Sequence, residues 1–291
     1  MSNNKKNKFY GVNDDLWGHK WGFKDSSFII NDDNTVTFTG KRYEGISGER
    51  LPYLIPFVTK VLNTDIKKEP YFKEIEKKYV TERKINQDFV NDIKSFFNDD
   101  QISFSDEERV LHSHGQNSPD EVFKVLYDKL EKFTDIVVYV ENEEDVINLI
   151  EKAKKHNVCL VPYGGGTNVT NALQLPEDEE RMIVSVDTRR LNKIISIDTK
   201  NLLIEVEAGI TGKHLEEELQ KKGFTVGHQP DSIELSTLGG WISTNAAGMK
   251  KNKYGNIEDI VQNVVMVTPN GTINQIKPVS YTQLRAHETS N

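Results

Sequence analysis

The sequence predicts an α+β protein, in which a mainly helical region over residues 1–132 precedes a mixed domain over residues 133–277. Three observations predict this class. The first region is irregular in period but holds several candidate helices, β-branched runs alternate with helical spacing after residue 133, and a strong turn dipeptide closes a hairpin near residue 270. At about 150 residues per domain, a chain of 291 residues also suits roughly two domains.

The first region is expected to hold one hairpin and three helices. The hairpin joins residues 28–30 to residues 36–38 through a polar turn. The helices are expected at residues 51–62, 86–97 and 118–133. The apolar face of the first helix could touch a membrane, but its short stripe favours packing on the neighbouring domain.

The second region is expected to alternate strands with helices. Apolar residues at helical spacing predict helices at 143–156 and 211–222, and the second helix has a capping pattern at its start and Gly223 at its end. Asn270-Gly271 is a turn dipeptide typical of hairpins. The expected strands are residues 136–139, 158–162, 183–186, 194–197, 202–206, 264–268 and 272–276.

Composition excludes several classes of function. The formal net charge is 37 − 45 = −8, which argues against nucleic acid as a main partner because phosphate neutralisation needs surplus Lys and Arg. No apolar run approaches the ~18 residues of a membrane-spanning helix. The first residues also lack the apolar centre of a secretory signal.

Cys159 is the only cysteine, so no intramolecular disulfide can form. This fits a reducing compartment or an organelle that imports folded proteins. The flanking Val158, Leu160 and Val161 predict that Cys159 is a small buried core residue.

A glycine-rich loop, Gly164-Gly165-Gly166-Thr167-Asn168, directly follows an expected strand. Consecutive glycines let backbone N–H groups approach a diphosphate closely. The loop has neither the Gly-Lys-Ser/Thr ending of a P-loop nor the GxGxxG order of a Rossmann turn. On its own it therefore predicts a tight turn without a ligand as readily as a phosphate site.

A second block rich in small residues extends from residue 227 to residue 259. So many small residues would waste core volume unless something large lies beside them. A bound dinucleotide between two lobes would fill that volume and use the backbone N–H groups of both loops.

Three strings of the sequence resemble the alkyldihydroxyacetonephosphate synthase family. They are PYGGGTN at residues 162–168, GHQPDS at residues 227–232 and GMKKNKYGNIED at residues 248–259. The resemblance extends from about Trp17 to Gly271, and the third string is the most specific of the three.

The resemblance implies a fold and a cofactor. The family has an FAD-binding domain of the vanillyl-alcohol-oxidase and p-cresol-methylhydroxylase (PCMH) type, which would be incomplete in this chain. It implies FAD between two α+β lobes, with the diphosphate on residues 162–168 and Thr167 next to the flavin. The implied cofactor-binding residues are Pro162, Tyr163, Gly164, Gly165, Gly166, Thr167, Asn168, Asp231, Ser232, Ser236, Thr237, Gly239, Gly240, Thr244, Asn245, Ala246, Ala247 and Gly248.

The family exchanges the acyl chain of acyl-dihydroxyacetone phosphate for a fatty alcohol, without net redox change. The resemblance therefore implies these two substrates, a peroxisomal location, a homodimer and peripheral membrane association for the full-length protein. No peroxisomal signal is readable near the start of the chain. This chain departs from the family at Asn245 and Ala247, where Arg and Ser are usual, and both replacements are compatible with FAD binding.

The catalytic residues are unknown in this chain and are expected downstream of it, so the chain itself is expected to be inactive. Residues 278–291 do not continue the family, and we expect them to be a non-native tail that resembles adapter read-through. Two alternatives stay open: an FAD-dependent 2-hydroxy-acid dehydrogenase of the same fold, and a non-catalytic FAD-binding fragment.

Other polar residues give no specific prediction of function. His112 and His114 could bind a metal, but two histidines without further ligands at suitable spacing are more often solvated or capping, and we predict no metal. His228 could contact the flavin or order its own loop through a hydrogen bond. Lys250 and Lys251 could meet phosphate or form surface charge.

Overall fold

The structure is a computed structural model that describes residues 16–17, 20–43, 45–66 and 80–276. The expected tail at residues 278–291 lies outside these residues. The chain begins with a small antiparallel sheet of β1 (Ser27–Ile30), β2 (Val36–Thr39) and β3 (Arg50–Leu51). The pairing of Ile30 with Val36 confirms the predicted hairpin.

The three helices predicted in the first region are present, each shorter than expected. They are α1 (Leu54–Leu62), α2 (Gln87–Ile93) and α4 (Pro119–Leu126). A further helix, α3 (Asp106–Leu111), was not predicted. Pro119 occupies the first turn of α4, where its missing N–H costs no hydrogen bond. The fold class, with its mainly helical first region, is confirmed.

The packing of α1 on the neighbouring domain stays a prediction. This helix buries none of its side chains, and Phe57, Val61 and Leu62 are more than half exposed, as is Tyr53 just before it. The apolar face was readable from the sequence, but its partner was not.

A four-stranded sheet forms the centre of the molecule. Its strands are β4 (Ile102–Ser103), β5 (Ile136–Tyr139), β6 (Cys159–Tyr163) and β7 (Ile183–Asp187), in the order β4-β5-β7-β6. The last three strands run parallel, and β4 pairs antiparallel with β5. Every residue of β5 and β7 is buried, as expected for the covered middle of a parallel sheet.

Helix α5 (Glu143–Lys155) connects β5 to β6. Asn142 caps its start by accepting a hydrogen bond from the backbone N–H of Asp145 at 2.8 Å, and three lysines lie in its last turn, where they favour the helix dipole. Leu149 and Ala153 face the sheet. The predicted strand–helix–strand unit is thereby confirmed.

One apolar core contains side chains from both sides of the expected domain boundary at residue 132. Side chains of α2 and the turn after it pack in the same cluster as the buried side chains of β5, β7 and α5. The buried members of this core are Phe89, Val90, Ile93, Phe97, Ile136, Val138, Val140, Leu149, Ala153, Val158, Met182, Val184 and Val186. Residues before the expected boundary thus complete the core of the residues after it, whereas the domain boundary itself stays a prediction.

Beyond the sheet, the described chain forms two antiparallel hairpins and four helices. Strands β8 (Ile194–Asp198) and β9 (Leu203–Val206) pair, and α6 (Gly212–Gln220) packs beside them with Leu215 and Leu219 buried. The short helices α7 (Leu238–Thr244), α8 (Lys251–Tyr254) and α9 (Ile257–Ile260) were not predicted. Strands β10 (Asn263–Thr268) and β11 (Gly271–Ile276) confirm the second predicted hairpin.

Cys159 is half-buried at the start of β6, so the prediction of a fully buried thiol is wrong. It lies in an edge strand, where β7 covers only one side of the strand. In the described part of the chain, no helix is long and apolar enough to cross a membrane.

Candidate cofactor site

The candidate site begins where three parallel strands end. Tyr139 of β5, Asp187 of β7 and Tyr163 of β6 lie in register at the carboxyl edge of the sheet. In open sheets of parallel strands, ligands bind at this edge. The glycine-rich loop predicted from the sequence leaves the sheet here, directly after Tyr163.

The loop is fastened to the end of β7. Both the backbone N–H and the Oγ1 hydroxyl of Thr188 donate hydrogen bonds to the carbonyl of Tyr163, each at 3.0 Å. The first peptide of the loop is therefore held by a strand that is itself fully buried.

The glycine loop meets the second small-residue loop directly. A Cβ on Gly165 would lie 2.0 Å from the carbonyl oxygen of Leu235, and a Cβ on Gly164 would lie 2.5 Å from Oγ1 of Thr237. Such distances exclude a side chain at either position. The two loops that the sequence predicted to share one ligand are therefore adjacent, although they lie far apart along the chain.

The backbone N–H groups of residues 164–168 have no hydrogen-bond acceptor among the described residues. Consecutive N–H groups without a protein acceptor are available to bind an anion such as a diphosphate, and we name residues 164–168 the cradle. Gly166 adopts a φ of +66°, which a residue with a side chain rarely takes. The loop fits the phosphate groups of a dinucleotide.

A buried charged cluster lies beneath the loop. The carboxylate of Asp187 accepts hydrogen bonds from Nε of Arg189 at 3.0 Å and from the backbone N–H of Arg189 at 2.9 Å, and its Oδ2 lies 2.9 Å from Nε2 of His112. Nη2 of Arg189 also donates to it. Burial raises the pKa of the Asp187 carboxyl, but Arg189 and His112 outweigh it and hold that pKa far below its ordinary value.

Tyr163 joins this cluster to the loop. Its ring contacts the imidazole of His112 with centroids 4.4 Å apart, and the guanidinium of Arg189 lies 5.0 Å from the ring centroid. Burial raises the pKa of the Tyr163 hydroxyl to about 12, so the phenol stays neutral at physiological pH. This hydroxyl has no hydrogen-bond partner among the described residues.

The residues implied as cofactor-binding differ in exposure. Four of them are buried: Tyr163, Gly166, Ser236 and Thr237. Nine are half-buried: Gly164, Gly165, Thr167, Asn168, Ser232, Gly239, Gly240, Ala246 and Gly248. Five are exposed: Pro162, Asp231, Thr244, Asn245 and Ala247.

Local hydrogen bonds shape the second loop. Ser236 donates to the carbonyl of Ser232 at 2.9 Å and accepts from Nε1 of Trp241 at 2.8 Å. Thr237 caps α7 by accepting from the backbone N–H of Gly240 at 3.2 Å. These bonds fix residues 232–237 relative to the start of α7.

The third segment of the predicted site, residues 244–248, is placed by other contacts. The N–H of Ala246 donates to the carbonyl of Trp241 at 2.9 Å, and a Cβ on Gly248 would lie 2.8 Å from the backbone nitrogen of Gln229. The structure therefore brings residues 163–168 and 235–237 together and sets residues 244–248 beside residue 229.

His228 is almost completely buried, at 1% exposure, and its ring lies 4.7 Å from the ring of Trp241. Neither ring nitrogen has a hydrogen-bond partner among the described residues. Burial lowers the pKa of this imidazole, so it is neutral at physiological pH. Of the two predicted roles, a hydrogen bond that orders its own loop is not observed in the described part of the chain.

His112 and His114 were expected to be solvated or to cap a helix. Both are buried, so the expectation that they are solvated is wrong. Nδ1 of His112 lies 2.7 Å from the carbonyl of Glu108, and Nδ1 of His114 lies 2.7 Å from the carbonyl of Gly115. The described residues contain no group of three or more His, Cys, Asp or Glu side chains that could hold a metal ion. Lys250 and Lys251 are exposed.

Sequence reasoning missed two residues that hold the glycine loop. The N–H of Gln116 donates to the carbonyl of Gly166 at 2.6 Å, and Nδ2 of Asn117 donates to the carbonyl of Thr167 at 3.0 Å. Only the histidines of this segment drew attention in the sequence. Because these contacts join segments that are distant along the chain, they leave no local pattern that could have found the other two.

Comparison with known proteins agrees with this geometry. Residues 134–277 match the FAD binding domain family. The chain is 44% identical over 255 residues to the alkyldihydroxyacetonephosphate synthase of Caenorhabditis elegans and 35% identical over 235 residues to that of Dictyostelium discoideum. The chain is a homologue of the alkyldihydroxyacetonephosphate synthases.

A solved structure of an alkyldihydroxyacetonephosphate synthase superimposes on this homologue with a TM-score of 0.81 at 33% identity, and it covers 90% of the chain. The aligned residues cover 87% and 78% of this chain for the two curated relatives, but only 42% and 38% of those relatives. They cover 49% of the solved structure. The chain thus spans less than half the length of the synthases it matches.

These findings confirm three predictions from the sequence. The chain carries an FAD-binding domain of the PCMH type, it resembles part of the length of the synthases, and its cofactor is FAD.

Proposed function

We propose that residues 162–168 hold the diphosphate of FAD and that the facing loop lines the rest of the cofactor. The observation that carries this proposal is the row of backbone N–H groups at residues 164–168 for which the described chain offers no acceptor, at the carboxyl edge of the parallel sheet. The lining residues would be Asp231, Ser232, Ser236, Thr237, Gly239, Gly240, Thr244, Asn245, Ala246, Ala247 and Gly248.

Each part of the chain would have a distinct task. Gly164 and Gly165 would let the two loops approach each other, because a side chain at either position would collide with residues 235–237. Thr167 would lie next to the flavin. The buried charges under Tyr163 would fix the loop without placing a free carboxylate near the phosphates, because Asp187 is already bound by Arg189 and His112.

We propose that the full-length protein exchanges the acyl chain of acyl-dihydroxyacetone phosphate for a fatty alcohol and forms alkyl-dihydroxyacetone phosphate. The names of the relatives support this reaction. The bound flavin would supply the reactive ring system. The protein would bind and orient the substrates and exclude water from them. We further propose a peroxisomal location, a homodimer and peripheral membrane contact for the full-length protein.

The 291-residue chain would bind FAD without turning over these substrates. It spans 42% of the Caenorhabditis elegans relative, so the groups that deprotonate the substrate and hold its phosphate would lie in the part not represented. The domain limits proposed for the chain are residues 1–132, 133–277 and 278–291.

Flavin absorbance of the purified chain tests the cofactor proposal. We expect a yellow protein that releases FAD on denaturation, and a colourless product from Gly165→Ala, because the added Cβ would push the loop away from Leu235. Thr170→Ala is a suitable control, since the Thr170 side chain is exposed and lies just beyond the loop. A folded but colourless wild-type chain would contradict the proposal.

The reaction is tested on a full-length clone. We expect incorporation of a labelled fatty alcohol into alkyl-dihydroxyacetone phosphate, with release of the fatty acid. Reduction of a dye by D-lactate without alcohol incorporation would instead support a 2-hydroxy-acid dehydrogenase.

A further inference from the structure

We propose that residues 112–117, named the strap, position the glycine loop for the cofactor, although they precede the matched FAD binding domain at residues 134–277. The proposal rests on the proposed function, in which this loop holds the diphosphate. It assigns a positioning role to Asn117 and to the backbone of Gln116, and it extends the cofactor-binding unit upstream of the matched domain to residue 112.

The strap holds two consecutive carbonyls of the loop. Gln116 donates its backbone N–H to the carbonyl of Gly166 at 2.6 Å, and Asn117 donates Nδ2 to the carbonyl of Thr167 at 3.0 Å. A carbonyl that accepts from the strap is turned toward the strap, so it does not face the cradle. This matters because a carbonyl oxygen in the cradle would repel a phosphate oxygen, whereas an N–H attracts it.

The strap is itself anchored on both sides of residue 132. His112 pairs with Asp187 at the end of β7, and Ser113 accepts from the backbone N–H of Thr134 at 2.9 Å. The N–H of Gly115 donates to Oε1 of Glu121 in α4 at 2.7 Å. All residues of the strap except Asn117 are buried.

A residue near the start of the described chain completes the support. Nε1 of Trp21 donates to the carbonyl of Gln116 at 2.7 Å, so the same residue of the strap that binds the loop is also bound by Trp21. Trp21 is 53% exposed, and Asn117 is exposed as well. Both side chains can therefore be changed without opening the core.

The test uses the whole 291-residue chain and the variants Asn117→Ala and Trp21→Phe. Asn263→Ala is the matched control, because Asn263 is also exposed and also donates Nδ2 in a hydrogen bond, to the side chain of Asn274 in the β10–β11 hairpin. Two quantities are measured: the Kd for FAD from flavin fluorescence, and amide hydrogen exchange of Gln116, whose N–H donates to the carbonyl of Gly166, in the FAD-free chain.

We expect Asn117→Ala to raise the Kd for FAD about 3- to 10-fold, the range for losing one hydrogen bond, and to speed exchange of the Gln116 amide that binds the loop. Trp21→Phe is expected to act in the same direction with a smaller factor. The control is expected to leave both quantities unchanged. A structural role without effect on the cofactor would change exchange alone.

Three outcomes are decisive. If the wild-type chain binds FAD and both variants keep its Kd within about twofold, the strap has no role in cofactor binding, whatever the exchange shows. If Asn263→Ala weakens FAD binding as much as Asn117→Ala does, the effect is not specific to the strap and the proposal fails. If the wild-type chain binds no FAD, the proposed function is contradicted first and the strap proposal falls with it.

Discussion

The parallel sheet and the two antiparallel hairpins differ in how their apolar residues are covered. Every residue of β5 and β7 is buried, and helices α2 and α5 contribute side chains to the core over these strands. The hairpins instead mix half-buried and exposed residues, and several exposed side chains are apolar. These are Ile195, Leu203, Val265, Met266 and Ile273.

The difference explains where a precise ligand site can form. A loop that leaves a fully covered strand inherits the fixed position of that strand, because the surrounding core permits little movement. The glycine loop leaves the edge strand β6 at its buried last residue, Tyr163, which lies in register with Asp187 at the end of the fully buried β7. A loop at the tip of a half-exposed hairpin has no such support, and opening of the hairpin costs less free energy.

Removal of the charge of Asp187 is expected to give the largest difference in stability between the sheet and the hairpins. Asp187→Asn keeps the shape but leaves the buried guanidinium of Arg189 without its counter-ion, which costs about 3–5 kcal/mol of the free energy of unfolding. Urea denaturation measures the loss. Glu205→Gln in β9 replaces an exposed carboxylate and should change the same quantity by less than about 0.5 kcal/mol. Equal losses at the two sites would refute the contrast.

The apolar contrast is tested by a pair of identical truncations. Ile136 in β5 is 0% exposed and Ile273 in β11 is 48% exposed. Ile136→Ala should lower the free energy of unfolding by about 2–5 kcal/mol, because it leaves a cavity in the core. Ile273→Ala should cost less than about 1 kcal/mol, because water already covers about half of the side chain. A larger loss at Ile273 would show that the hairpin is the more tightly packed element.

A smaller effect concerns the link between α2 and α5. The carboxylate of Asp92 lies 2.8 Å from Nε2 of His156 and accepts from Nζ of Lys155 at 2.7 Å, and these bonds lower the pKa of Asp92 to about 2. A lowered folded-state pKa stabilises the fold above the ordinary value near 3.8 and loses that effect as pH falls toward 2.

We therefore expect Asp92→Asn to be less stable than the wild type at pH 6 and the gap to narrow by pH 3, in urea denaturation at both pH values. Asp88→Asn, on the same helix, controls for general charge effects. A gap that widens on acidification would contradict the assignment.

Much of the covered sheet could be predicted from local patterns. The β-branched run at residues 136–139 and the helical spacing of Leu149 and Ala153 reflect burial directly. Asn270-Gly271 marks the second hairpin, in which Asn270 lies in the turn and Gly271, at the start of β11, adopts a φ of +114° that favours glycine. Helix α7 was not predicted, since its sequence LGGWIST contains two glycines and is only seven residues long, although Leu238, Trp241 and Ile242 stand at helical spacing. It forms because Thr237 caps it and Trp241 is buried.

The candidate site was predictable only in part, because only some of its features are local in sequence. The glycine loop is a local signal, and so is the block of small residues that faces it. The support beneath them is not, because His112 meets Asp187 and Arg189 only through the fold, from a distant part of the chain. Buried polar partners carry no periodicity, and only the fold reveals that His112 contacts Asp187.

The central claim is that the N–H groups of residues 164–168 hold the diphosphate of FAD. It is tested most directly by comparing the Kd of the 291-residue chain for FAD and for riboflavin, which shares the flavin ring but has no phosphate. Hydrogen bonds to a charged group contribute about 1.5–3 kcal/mol each, so even two of them predict that FAD binds more than about 100-fold tighter. Equal affinity for FAD and riboflavin would contradict the claim.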